Sequence, residues 1–252
     1  MSSRYDRAVE VASESAILAI VPLLASLLSP SKIGRVLESG PGGGMTFPFP
    51  TGLPTVWTYV SVPTSVGPGT VGGPLAVTTF VPLFLVGLVV TSALEAGFLG
   101  ALSRRIDGGG FAFVAGLRRF TVRFVGVSLV RFAVVVAALP VLVVAPPLAL
   151  LVVIGLSYLM YGLPFEVVVR DASVTAALET TVERARAGGL YARFGIAHLV
   201  AGALGSVVLT GIVRNSTPAG IVVGAILVAF PSVFVATYGL LVFRDLERGR
   251  TG

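Results

Sequence analysis

Residues 132–165 read FAVVVAALPVLVVAPPLALLVVIGLSYLMYGLPF, a run without one charged side chain. A single helix crosses hydrocarbon with about 20 apolar residues, so this run is too long for one crossing. Pro140, Pro146 and Pro147 stand near its middle, where each removes a helix donor and crowds the preceding turn. The stretch therefore reads as two membrane crossings joined by a tight turn. That reading sets the solvent around the whole chain, which is expected to be an integral membrane protein.

Composition agrees. The chain has 252 residues, 55% hydrophobic and 12% charged, with mean hydropathy +0.95. Soluble domains carry roughly 25% charge, about twice this value. A net charge of +6 raises the question of nucleic acid, but the basic residues sit in short segments between apolar runs rather than on one face, and nucleic acid is not expected as a partner. The absence of cysteine excludes disulfides, thiolate metal sites and cysteine nucleophiles, and a single histidine excludes a multi-histidine centre. No cofactor and no metal are expected.

Apolar runs give six candidate spans, at about 9–29, 77–102, 122–142, 147–168, 190–213 and 218–243, in one membrane domain over 1–252. The expected fold is an all-α, polytopic transmembrane bundle. Glu10, Ser13, Glu14 and Ser15 dilute the first span, whose apolar core runs only from Ala16 to Leu28. Fourteen of the eighteen basic residues, including Arg4, Arg7, Arg104, Arg105, Arg118, Arg119, Arg184 and Arg244, fall on one side of this arrangement. The positive-inside rule makes that side cytoplasmic, so both termini are expected in the cytoplasm of a multi-pass plasma-membrane protein.

Residues 30–75 form the one long connection, rich in Gly, Pro, Ser and Thr, and are expected outside with little regular structure. Val56–Val62 alternates well enough for a short strand or an interfacial patch, with Trp57 and Tyr59 at headgroup level. Gly42-Gly43-Gly44 lacks the Lys-Ser/Thr of a phosphate loop and reads as a linker. On the cytoplasmic side, Phe111, Val114, Leu117 and Phe120 share a helical face, predicting an interfacial helix before the third span. Ser173 reads as the N-cap of a second inner helix, Val174 to Ala187, with Gly188-Gly189 as its stop.

An ionisable group in hydrocarbon costs about 2.5–3.5 kcal/mol on insertion scales, so each one present needs a partner, water or a task. Apart from Glu10, Arg123 and Arg193, five lie inside the candidate spans: Glu14, Glu95, Arg131, Glu166 and His198. Glu95 precedes Arg104 by nine residues on a span running inward, and Arg131 follows Arg123 by eight on the next span running outward. At 1.5 Å per residue both sit about 12–14 Å from the inner arginines, which predicts a Glu95–Arg131 contact. The five form a candidate intramembrane polar cluster. It serves either as a cytoplasm-facing vestibule for a proton, an ion or a headgroup, or as register-fixing pairs with Glu14, Glu166 and His198 snorkelling or bonding across helices. Gly202-x-x-x-Ser206, Gly220-x-x-x-Gly224 and Ala93-x-x-x-Gly97 are expected to allow close helix packing.

The stretch Tyr161-Gly162-Leu163-Pro164-Phe165-Glu166-Val167-Val168-Val169-Arg170-Asp171-Ala172-Ser173, followed by Ala177-Leu178, Thr181, Arg184 and Gly188, resembles a broad group of six-helix membrane proteins of unknown function. That group is related to the membrane domain attached to some glycerophosphodiester phosphodiesterases. Phe230-Pro231 and Tyr238 are similar to its final helix, and the likeness covers about residues 80–245. The chain departs from it in showing Thr181 where a second inner-helix Ser is frequent, and in its longer outer loop. The resemblance implies a membrane module without catalytic residues, since the phosphodiesterase chemistry of fused relatives belongs to a separate soluble domain. The expectation is a non-enzymatic scaffold or accessory module contacting membrane lipid, a protein partner or a second copy. The alternative is a small transporter or permease-like carrier with a polar site at Glu95 and Arg131.

Overall fold

The computed structural model describes residues 3–62, 74–144 and 146–249, and among them every regular element is helical. In chain order the helices are α1 (Arg4–Glu14), α2 (Ile20–Leu27, entered through a 3-10 turn Ala16–Ala19), α3 (Pro30–Ser39), α4 (Val56–Tyr59), α5 (Pro74–Ile106), α6 (Phe113–Val144), α7 (Pro146–Met160), α8 (Leu163–Val169), α9 (Val174–Ala187), α10 (Gly189–Asn215) and α11 (Thr217–Glu247). Five straight stretches are long and apolar enough to cross a membrane: Leu83–Ile106, Phe113–Ala138, Leu151–Val169, Gly189–Asn215 and Pro218–Glu247. The chain folds as an all-α membrane bundle. Its outside is strongly apolar, with Val122 84%, Leu204 69% and Leu151 65% exposed, a surface suited to hydrocarbon rather than water.

The region expected as a first span is bent. Helix α1 and the segment Ala16–Leu27 meet at 79°, and only when taken together do they pass as a sixth crossing. The cause lies in Glu10, Ser13, Glu14 and Ser15, which do not suit hydrocarbon. Helix α1 instead lies across the arginine-rich end of the bundle, burying Ala8, Val11 and Ala12. A capping box between Ser3 and Asp6 starts it, and Arg4 meets Asp245 at 2.6 Å. Arg7 donates to the Ile106 carbonyl at 3.0 Å, and Glu14 lies 3.5 Å from Arg105. The first and last helices thus meet at one end of the molecule.

The interfacial helix expected over 111–121 is not separate either: α6 runs without a break from Phe113. Nothing in 113–121 stops a helix except Gly116, and that glycine has a packing role. A Cβ on Gly100 would stand 2.6 Å from the Gly116 Cα, so the backbones of α5 and α6 touch there. The Gly108-Gly109-Gly110 turn closes this hairpin, with Gly108 at φ +76°. The other inner helix forms as expected, with the Ser173 hydroxyl accepting from Ala176 N and Gly188 at φ +72° ending α9.

A main core near the arginine-rich end buries Phe98, Leu99, Phe124, Phe165, Tyr191 and Phe243 completely. A smaller cluster at the opposite end gathers Val36, Val56, Trp57, Val60, Val213 and Ile221. Four of those six, Val36, Val56, Trp57 and Val60, belong to the connection expected to lie outside.

Candidate functional site

The segment 40–62 folds into the bundle as a re-entrant loop and lies along one row of α10. The Arg214 guanidinium donates to the Gly43 carbonyl at 3.1 Å and the Gly40 carbonyl at 3.4 Å. One turn deeper, Thr210 Oγ1 accepts from Ser61 N at 3.0 Å, and one turn deeper again Ser206 Oγ accepts from Thr46 N at 3.0 Å. A Cβ on Gly202 would stand 2.4 Å from Pro48 Cγ, and the Tyr59 hydroxyl lies 3.5 Å from His198 Nε2. His198, Gly202, Ser206, Thr210 and Arg214 are spaced by four and therefore form one ridge that winds slowly around the helix. From Arg214 to His198 that ridge covers sixteen residues, about 24 Å at 1.5 Å per residue. The small-residue motif Gly202-x-x-x-Ser206 thus receives the loop, not a neighbouring helix.

The expectations for this connection are corrected accordingly. Val56–Tyr59 is a helical turn rather than a strand, with Thr55 and Thr58 forming a capping box. Trp57 is 6% exposed, packed inside the protein, and its indole N–H donates to the Ser26 carbonyl at 2.6 Å. The Gly42–Gly44 triplet is no free linker: a Cβ on Gly42 would strike Arg214 and one on Gly44 would strike Ser61. Residues 63–73, also part of the expected outer loop, lie outside the described residues.

Irregular backbone at membrane depth is tolerated only where protein or a hydrated cavity surrounds it, because lipid cannot satisfy free N–H and C=O groups. The sequence here, Phe47-Pro48-Phe49-Pro50-Thr51-Gly52-Leu53-Pro54, lessens the problem, since its three prolines carry no N–H to leave unpaired. Pro48, Phe49 and Pro50 are buried, and Phe49 stacks on Tyr161 with ring centroids 6.0 Å apart. At the tip, Gly52 presses on α5: a Cβ there would lie 2.3 Å from Glu95 Oε1 and 2.7 Å from Leu99 Cδ1.

Glu95 and Arg131 do meet, with Arg131 Nη1 3.9 Å from Glu95 Oε1. The pair is loose. Glu95 Oε1 is buried without a hydrogen-bond partner, as is Thr51 Oγ1. Arg131 makes no hydrogen bond among the described residues, although a guanidinium offers five donors. The other three candidates have partners of their own. Glu14 pairs with Arg105 at the rim, the fully buried Glu166 pairs with Arg184, and His198 contacts Tyr59. No hydrogen bond or ion pair joins them to Glu95 or Arg131, so the five candidates occupy four places rather than one vestibule. Among the described residues no group of three or more metal-ligating side chains comes together.

Beside Arg131 a cavity of about 390 Å³ opens between α6 and α7. The re-entrant residues Phe47–Thr51 form one wall, and Val134, Ala138, Leu156 and Ser157 form the others. Val135 and Val153 on its rim are 56% and 47% exposed on the lipid-facing outside of the bundle. The mouth is therefore lateral. Chemically this is an apolar slot with one guanidinium at its base, able to take an alkyl chain and an anionic or hydrogen-bond-accepting group together.

The row on α10 and the prolines of 48–54 were both visible as residues but not as partners. A hydrophobic span carrying His, Gly, Ser, Thr and Arg at four-residue spacing is the signal that could have revealed the docked loop. Compared with protein-family profiles, with curated proteins and with solved structures, the chain has no match.

Proposed function

We propose that this chain is a non-enzymatic multi-pass protein of the plasma membrane that holds one lipid-like amphiphile in the cavity between α6 and α7, with its arginine-rich end and both tails in the cytoplasm. The observation that carries the reading is Arg131, a guanidinium at bilayer depth with no hydrogen bond, at the base of an apolar slot that opens toward hydrocarbon. A charge there needs a polar partner, and the polar group of an amphiphile supplies one while its chain fills the slot. The arginine asymmetry supports the orientation, and the resemblance of Tyr161 to Gly188 to membrane modules of the six-helix group supports a role without chemistry.

The test is native mass spectrometry of the protein extracted from its own membranes. Wild type is expected to carry one tightly retained amphiphile, and Ser157→Trp, which fills the slot, is expected to lose it. Val122→Trp places the same bulk on an outward face and should retain it. Equal retention in Ser157→Trp and Val122→Trp sinks the proposal.

A second reading rests on a different observation. Glu95 Oε1 and Thr51 Oγ1 are buried at the tip of the loop without a hydrogen bond, and Arg131 is only loosely paired, a place where a proton or small cation would settle the charge. On this reading the protein is a small carrier. Proteoliposome flux decides it: unchanged flux in Glu95→Gln from an active wild type removes Glu95 as the transporting group.

A further inference from the structure

A second cavity, of about 430 Å³, lies at the arginine-rich end, away from Arg131 and lined by none of the residues of the first. Arg104 comes to it from the last turn of α5, Arg119 from the first turns of α6 and Arg244 from the last turns of α11, with Asp107 and Asp171 between them. We propose that this cavity binds a phosphate group, carried either by a lipid headgroup at the membrane surface or by a soluble phosphate.

The guanidiniums are already arranged to grip an oxyanion. Arg244 straddles Asp107, with Nη1 at 2.5 Å from Oδ1 and Nη2 at 2.9 Å from Oδ2, and also donates to the carbonyl and hydroxyl of Ser103. Arg119 donates to both Asp171 oxygens, at 3.3 and 2.7 Å, and Arg123 donates to the same carboxylate. These are the two-pronged contacts by which arginine recognises carboxylate and phosphate alike. Asp107 and Asp171 are 63% and 43% exposed, so each carboxylate is a weak, solvent-screened occupant that a phosphate, with more acceptor oxygens to share among several guanidiniums, can displace.

Arg104 has no partner among the described residues and is exposed at the cavity wall. Counting Arg123 behind Arg119, four guanidiniums face two carboxylates, a net charge of +2. The cavity also lies where the apolar stretches of α5, α6 and α11 end, which is the depth of lipid phosphates.

The test uses the full chain in maltoside micelles, whose head groups carry no phosphate. In one arm inorganic phosphate replaces chloride at constant ionic strength and the rise in Tm is read. In the other, phosphatidylglycerol is added to the micelles and the lipid retained is counted by native mass spectrometry. Binding in at least one arm is expected, weakened about tenfold by Arg104→Gln, which removes one charge-assisted contact, and untouched by Arg118→Gln, which removes an equal exposed charge outside the cavity. Asp107→Asn, which takes away a competing carboxylate, is expected to tighten binding. A response to inorganic phosphate alone assigns a soluble ligand, and a response to phosphatidylglycerol alone or to both assigns a headgroup. Equal weakening in the Arg104 and Arg118 variants, weaker binding in Asp107→Asn, or no binding of either probe overturns the proposal.

Discussion

Gly52 has no side chain because Glu95 and Leu99 occupy the space where one would go. Gly52→Ala forces an atom to within 2.3 Å of Glu95 Oε1, and overpacking of this kind costs about 1–3 kcal/mol. The expected outcome is a lower Tm in detergent, partly restored when Glu95→Ala is added; a Gly52→Ala protein as stable as wild type would mean that the loop tip is not seated on α5. Asp171 offers a second residue-scale test. It holds a left-handed backbone conformation, φ +53°, and hydrogen bonds from Arg119 first and Arg123 second keep its carboxyl below the usual 3.8. Because the folded value is depressed, the stabilisation is present above the unfolded value and disappears as pH falls through the folded one. Exposure limits the effect to about 1 kcal/mol or less. Asp171→Asn should therefore lower the Tm slightly at pH 7 and match wild type near pH 2; an equal gap at both pH values would rule out the ion-pair origin.

At the scale of elements, the docking of residues 40–62 on α10 separates this fold from a plain helical hairpin array. The chain contains no cysteine, so introduced pairs report without background. Thr46→Cys with Ser206→Cys is expected to be joined by a short bifunctional thiol reagent in native membranes, because Thr46 N and Ser206 Oγ are 3.0 Å apart. A connection lying outside the bundle would leave the two thiols far apart and free. Ser206→Val should in turn destabilise the protein by about 1–3 kcal/mol, since it strands the Thr46 N–H at membrane depth, and a detergent melting curve reads that loss. The helices α1 and α6 carry a related lesson. Both expected boundaries moved, in α1 because polar side chains turned the helix onto the bundle end, and in α6 because Gly116 found a partner in Gly100.

For the whole molecule, the meeting of α1 with α11 through Arg4 and Asp245 puts the two ends of the described chain side by side. Ser13→Cys and Arg248→Cys are accordingly expected to react with a membrane-impermeant maleimide from the same face, and Gly34→Cys, where a new side chain meets nothing within 4 Å, from the opposite one. Labelling of Ser13→Cys and Arg248→Cys from different faces would undo the orientation and with it the placing of the phosphate cavity.

Periodic hydrophobicity and the distribution of arginine were enough, read along the chain, to establish an all-helical membrane bundle, most of its crossings and the pairing of Glu95 with Arg131. Those properties depend on solvent and on distance along a helix, which linear order contains. The bend at Glu14–Ala16, the burial of Trp57 and the insertion of residues 40–62 were decided only in three dimensions. A Gly/Pro-rich segment is equally soluble in water and equally able to fill a polar groove, and only the row His198-Gly202-Ser206-Thr210-Arg214, folded to face it, supplies the hydrogen bonds that make the second choice the better one.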